Sequence, residues 1–161
     1  MIIILMGVSG SGKTTIGERL AQVLGWPFYD GDQFHPLANV AKMQQGIPLA
    51  DEDRWPWLHA LRTHIKTWVQ QGMSAVLACS ALKQAYREYL IIDEAEVKLV
   101  YLKGDYDLIQ ERLAQRRGHF MPPGLLASQF ATLEEPRQSV VVDIVHPPET
   151  IVALIREQLR V

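Results

Sequence analysis

Gly7-Val8-Ser9-Gly10-Ser11-Gly12-Lys13-Thr14 fills every fixed position of G-x-x-x-x-G-K-[ST], and its two flanks supply the context this motif needs. Before it, Met1 to Met6 (M-I-I-I-L-M) is a short continuous apolar run, the pattern of a strand buried on both faces. After it, Thr14 to Leu24 places Ile16, Leu20, Val23 and Leu24 at helical spacing. Strand, loop and helix together predict a phosphate-binding loop. Glycines let the backbone wrap so that its N–H groups and the helix N-terminus point at an anion. Lys13 supplies a point charge for the outer phosphates, and the Thr14 hydroxyl can ligate Mg²⁺. Gly7 to Thr14 with Thr15 are therefore the candidate nucleotide-binding residues, and the expected ligands are a nucleoside triphosphate (ATP) and magnesium.

Composition narrows the class. A chain of 161 residues buries about 70% of its unfolded surface, enough for one core, so a single domain over residues 1–161 is expected. Apolar residues make up 48% and no run approaches the ~18 apolar residues of a membrane helix, so no membrane partner is expected. The first apolar run has no basic segment before it and leads straight into the loop. It therefore reads as a core strand rather than a signal peptide, and the expected location is cytoplasmic. A net charge of −2 gives no basic excess for nucleic acid. The lone Cys79, among M-S-A-V-L-A, reads as a buried strand thiol.

Along the chain, Trp26 to Tyr29 leads as a second strand into Asp30-Gly31-Asp32. In open α/β sheets ligands sit outside the carboxyl ends of the strands, so these two carboxylates are expected on the same edge as the phosphate loop. His35-Pro36 opens a helix to about Gln45, with Val40 and Met43 facing the core and Asn39 and Lys42 facing elsewhere. Asp51 or Asp53 can cap a long helix whose Leu58, Leu61, Ile65 and Trp68 form its apolar stripe, with Trp55 and Trp57 as packing residues. Arg54 is a cation at a helix start, where the macrodipole disfavours it. It either binds an anion or pairs with Asp51 or Asp53. Met73 to Cys79, Val97 to Leu102 and Val140 to Val145 read as three more strands, with Ser80 and Lys83 at the end of the first of them. Asp105 begins a helix on which Arg112 and Arg116 lie four apart, a repulsive spacing that a shared anion would explain. Arg117 to Gly124 is hinge-like, and Leu125 to Leu133 behind it is weakly helical, so residues 117–134 read as a mobile lid. Glu149 to Leu159 is the last helix. Five strands alternating with helices give an α/β fold with a parallel sheet.

Beyond the phosphate loop, four further blocks resemble the gluconokinase family. They are Asp30-Gly31-Asp32 with His35-Pro36 and Asn39 to Met43, and D-E-D-R-W-P-W-L at Asp51 to Leu58. Cys79-Ser80-Ala81-Leu82-Lys83 with Tyr86-Arg87 follows, then G-H-F-M-P with Ser128-Gln129-Phe130 and Leu133-Glu134. The resemblance implies a P-loop NTPase of the three-layer nucleoside/shikimate-kinase-like kind, with a five-stranded parallel sheet and a lid. It implies transfer of the ATP γ-phosphoryl to the 6-hydroxyl of D-gluconate. An acceptor that is a linear polyol with one carboxylate would be met by Arg54, Lys42, Lys83, Asn39 and His35. Asp32 would orient or deprotonate the attacking hydroxyl, with Asp30 in reserve, beside Lys13 and Arg116 as the other catalytic residues. Arg112 would stack on adenine, and Arg116 with Arg117 would neutralise phosphates. A kinase for another hexonate or for shikimate, and a nucleotide-dependent switch module, are the alternatives, and a homodimer stays open. Shikimate kinases resemble this chain in the D-x-D pair but carry a triple-glycine turn where Cys79-Ser80-Ala81 stands.

Overall fold

An apolar run with no polar face belongs inside a sheet, and β1 (Ile2–Met6) is buried at every residue. The computed structural model describes residues 1–116 and 123–161. The expectations placed on Arg117, Gly118, the F-M-P turn and Pro122 lie outside these residues. β1 is followed by α1 (Lys13–Leu24), β2 (Phe28–Asp30), α2 (Leu37–Gln44), α3 (Asp51–Gln70), β3 (Ala75–Ala78) and α4 (Gln84–Leu90). Then come β4 (Val97–Lys103), α5 (Tyr106–Gln115), α6 (Pro123–Thr132), β5 (Val140–Asp143) and α7 (Pro148–Leu159). The five strands form one parallel sheet in the order β2-β3-β1-β4-β5, as expected from the strand-helix alternation.

Because side chains alternate across a strand, β1 feeds two cores. Ile2, Ile4 and Met6 pack with Leu58, Leu61 and Ile65 of α3 and with Tyr86 and Leu90 of α4. Ile3 and Leu5 pack on the other face with Ile16 and Leu20 of α1, Ile109 of α5, Leu126 of α6 and Ile151 and Ile155 of α7. Helices on both faces leave the carboxyl ends of the strands as the open edge. That edge carries the phosphate loop after β1, a short 3-10 turn (Gly31–Phe34) after β2, and Cys79 to Lys83 after β3.

Four local expectations need correction. Neither Asp51 nor Asp53 caps α3: Ala50 holds that position, and Asp53, three residues on, accepts the Ala50 N–H at 2.9 Å. In α2 it is Asn39 that is buried, while Val40 and Met43 are only half-buried. Arg116 is not on the helix with Arg112, since α5 ends at Gln115 and Arg116 is its extended C-terminal cap. A cation suits that end of a helix, so the dipole accounts for part of what repulsion was taken to signal. Trp57 is buried as expected, but Trp55 is 41% exposed, its ring standing nearly perpendicular to those of Tyr86 and Tyr89 at centroid distances of 5.7 and 5.5 Å.

Candidate active site

The phosphate loop has the geometry its glycines were chosen for. Gly10 and Gly12 have φ of 81° and 95°, a region that side chains rarely adopt, and Gly12 is the residue that launches α1. At Gly10 a Cβ would also run into the Leu113 side chain at 2.7 Å, so the loop is seated directly on α5. Lys13 turns back over the loop and donates from Nζ to the carbonyls of Gly7 at 2.9 Å and Val8 at 3.0 Å. Burial lowers the pKa of this ammonium, and the Asp32 carboxylate acts against that shift. The two residues therefore sense one another electrostatically across the open edge.

Two depressions flank the loop. One is walled by Gly10, Ser11, Gly12, Thr15, Arg112, Arg116 and His146. Arg112 is tied there by Nη2, which donates to the Ile144 carbonyl at 2.7 Å. Arg112 and Arg116 thus meet on one wall although they do not share a helix. His146, which the sequence marks only as part of a turn, completes it.

The other depression brings together Ser9 and Lys13 from the loop, Asp32 and His35 from beyond β2, Arg54 and Trp57 from α3, Ser80 and Leu82 from beyond β3, and Ser128 and Gln129 from α6. Asp30 is not among these residues. Its carboxylate accepts the Asp32 N–H at 3.0 Å and so caps the 3-10 turn, which leaves the Asp32 side chain, 68% exposed, to face the depression. Gly31 between them lies so close to β3 that a Cβ would meet the Ala78 carbonyl at 2.6 Å, so this turn tolerates no side chain. His35 is stacked on Trp57 with ring centroids 4.2 Å apart and 15° between the planes. Burial, followed by the Arg54 charge, pushes its pKa down to about 4, so the ring is neutral at physiological pH.

Arg54 differs from the other predicted substrate cations in what it touches. Lys42 is held by Asp53 at 2.9 Å, and Lys83 by Asp51 at 2.9 Å. Both carboxyls sit below the usual range in consequence: Asp51 through Tyr86 and Lys83, Asp53 through Lys42 and the Ala50 amide. Asp51 and Asp53, the two acids expected as partners for Arg54, are therefore engaged elsewhere. Among the described residues Arg54 forms no ion pair; its Nη1 donates to the Tyr86 hydroxyl at 3.2 Å, and it faces the depression half-buried. The structure does not bring Lys42, Lys83 or Asn39 to that wall, so of the five polar groups expected to meet an acceptor, Arg54 and His35 are the two that reach it.

Gln129 was missed as a site residue. Its Oε1 accepts the Ser9 N–H at 2.6 Å and its Nε2 donates to Ser9 Oγ at 3.0 Å, so α6 is pinned to the phosphate loop across a separation no local pattern reveals. The family block containing Ser128-Gln129-Phe130 was the available signal. Cys79 lies one residue past the end of β3 rather than in the strand; it is buried as expected, and its thiol is pushed up to about 12, chiefly by burial, which suits an inert residue.

Among the described residues no group of three or more His, Cys, Asp or Glu could hold a metal ion. Magnesium needs no such cage, because it is usually held by substrate phosphates, water and one or two protein oxygens. The exposed Thr14 hydroxyl at the start of α1, next to Lys13, is an oxygen of that kind. No described helix is long and apolar enough to cross a membrane.

Comparison with known proteins places this geometry. A family model described as shikimate kinase matches residues 9–143. Thermosensitive gluconokinase of Escherichia coli is 46% identical over 161 residues, covering 98% of this chain and 84% of that protein. A probable gluconokinase of Mus musculus is 47% identical over 152 residues, covering 84% of this chain and 83% of that protein. The crystal structure of a gluconokinase from Sinorhizobium meliloti superposes with a TM-score of 0.86 at 43% identity, covering 98% of this chain and 94% of the other. A shikimate kinase from Aquifex aeolicus, at 19% identity and TM-score 0.56, shares the fold. The shikimate-kinase-like P-loop architecture is thus common to the wider group, whereas identity above 40% over nearly the whole length is found with one branch of it: this chain belongs to the gluconokinase family.

Proposed function

We propose that this protein transfers the γ-phosphoryl group of ATP to the 6-hydroxyl of D-gluconate. The observation that carries the reading is the one depression lined together by the phosphate-loop Lys13, the Asp32 carboxylate and the Arg54 guanidinium, which forms no ion pair among the described residues. Phosphoryl transfer asks a protein mainly for positioning and charge. The loop amides and Lys13 hold the triphosphate, Arg112 stacks on the base, and Arg116 faces the phosphates. Thr14 would offer its hydroxyl to magnesium bound with the substrate phosphates, and the ion would supply charge neutralisation there. Asp32 accepts a hydrogen bond from the attacking hydroxyl and takes its proton as the new P–O bond forms and the bond from the γ-phosphorus to the bridging oxygen breaks, ADP being the leaving group. Arg54 grips the carboxylate at the other end of the acceptor. The shikimate alternative is disfavoured by Cys79-Ser80-Ala81 where a triple-glycine turn would be expected. The reaction uses two small soluble substrates and suits a cytoplasmic enzyme. A coupled assay over a panel of sugar acids tests the assignment: gluconate should be the best acceptor, and ATP turnover that needs no acid would refute it.

A planar guanidinium can grip a carboxylate through two parallel hydrogen bonds, a geometry lysine cannot reproduce. Arg54→Lys should lower kcat/KM for gluconate by about 10- to 150-fold, equivalent to about 1.5 to 3 kcal/mol, with ATP affinity almost unchanged. Loss of ATP affinity instead would make Arg54 a phosphate residue.

The lid remains part of this proposal. Ser128 and Gln129 reach the acceptor wall from α6, and Leu126 anchors that helix in the core. Amide hydrogen exchange between residues 123 and 134 should slow when an ATP analogue and gluconate are bound together. Unchanged exchange would remove this segment from the closing step.

A further inference from the structure

Asn39 lies behind the acceptor wall, 3% exposed, and its amide nitrogen has two neighbours. Nδ2 donates to the Asp53 carbonyl at 2.7 Å and stands 3.1 Å from His35 Nδ1. The Asp53 carbonyl can only accept, so the NH₂ of Asn39 must face it; the turned-over amide would set two carbonyl oxygens against each other. That same NH₂ also faces His35. Its second hydrogen requires an acceptor there, and Nδ1 can accept only if it carries no proton. A neutral imidazole with a bare Nδ1 has its hydrogen on Nε2, and Nε2 is the nitrogen turned toward Asp32, 3.9 Å from Oδ1. The ring has little freedom to escape this arrangement. It is stacked on Trp57, and Trp57 is itself fixed by donating from Nε1 to the Gly31 carbonyl at 2.8 Å.

We infer that Asn39 is a positioning residue: anchored on the Asp53 carbonyl, it holds His35 as the neutral Nε2–H tautomer and aims that N–H at the Asp32 carboxylate and the acceptor oxygen beside it. The inference rests on the acceptor-pocket reading above for its role, though not for its geometry. It explains why an asparagine is buried on a helix whose apolar residues are not. It also explains how a histidine can sit beside a carboxylate without becoming an imidazolium, since a proton on Nδ1 would meet the Asn39 NH₂, donor against donor. The charged groups that share this wall with the ring are Asp32, whose Oδ1 lies 3.9 Å from Nε2, Lys13 and Arg54, and the Arg54 charge opposes protonation of the ring. Asp53 contributes only its carbonyl, its carboxylate being engaged by Lys42. The lowered pKa of His35 agrees with the same picture.

Nitrogen-15 NMR of the histidine rings in the ligand-free protein tests the inference, with His35→Gln used to assign the signals. His35 should appear at pH 7 as the Nε2–H tautomer and should not titrate above about pH 5. A proton on Nδ1, or an imidazolium at pH 7, would overturn it. Asn39→Asp offers Nδ1 an acceptor instead of a donor. It should move the His35 titration toward neutrality and lower kcat/KM for gluconate about tenfold or more, in a pH-dependent way and with the KM for ATP unchanged. A variant that folds, yet keeps the parent His35 tautomer and pH profile, would reduce Asn39 to packing. The ligand-free spectrum does not depend on which acid is the acceptor. A wrong assignment of gluconate would surface in the acceptor panel and leave this spectrum as it is.

Discussion

Lys13→Met should reduce phosphoryl transfer by about 10³-fold or more while leaving the far-UV circular dichroism of the parent intact. The substitution keeps an unbranched apolar stem of similar length and removes the charge. In the folded protein the ammonium is held over the loop by two backbone carbonyls, of Gly7 and Val8, so a cation is already stationed where the outer phosphates would arrive. Burial strengthens it, because charges interact far more strongly away from water. Little stability should be lost, since burial already disfavours the charged form of this side chain. Single-turnover measurement at saturating ATP separates the effect on chemistry from the effect on binding. Loss of the helical signal would assign Lys13 a structural role.

Asp32→Asn should cut kcat by about 10²-fold or more with the KM for gluconate changed much less. The amide is isosteric and can still touch a hydroxyl, but it cannot take its proton. Asp30→Asn should behave differently. An asparagine side chain also caps this kind of turn, so the backbone bond to Asp32 survives and kcat should fall by only a few-fold. Steady-state kinetics on the pair decide the matter: if Asp30→Asn gives the large loss and Asp32→Asn the small one, the roles are exchanged.

What could be read from the chain in advance has a physical boundary. β1, the phosphate loop and α1 were legible because each is specified by neighbours in sequence: an apolar run, glycines at fixed offsets, a 3.6-residue period. The stripe Leu58, Leu61, Ile65 and Trp68 was legible for the same reason. Asn39 was not, because periodicity assumes that a helix buries its apolar face, whereas α2 turns a polar residue inward to partners supplied by α3 and His35. Lys42 and Lys83 stand behind Arg54 as candidate substrate cations in the sequence, and the ion pairs that engage them, with Asp53 and Asp51 from 11 and 32 residues away, are set by the fold. Gln129 reaches Ser9 from 120 residues away, and nothing local to either residue announces it. Local rules therefore reach the loop and the strand and helix that flank it. The acceptor end is made of tertiary pairings, which no local rule reveals.

The place of β1 in the sheet has a further consequence. It is the middle strand, and its first residue, Ile2, pairs with Ala75 on one side and Val97 on the other. Each of those contacts closes a long loop of chain, with an entropic cost that is recovered only when the whole sheet is made. The phosphate loop hangs from the end of that strand, so it is not a locally stable motif that the remainder of the chain decorates. Nucleotide binding and global folding are then one thermodynamic cycle. Bound nucleotide stabilises strands that it never touches, and a packing defect introduced in β4 weakens apparent nucleotide affinity in proportion to the fraction of molecules it unfolds.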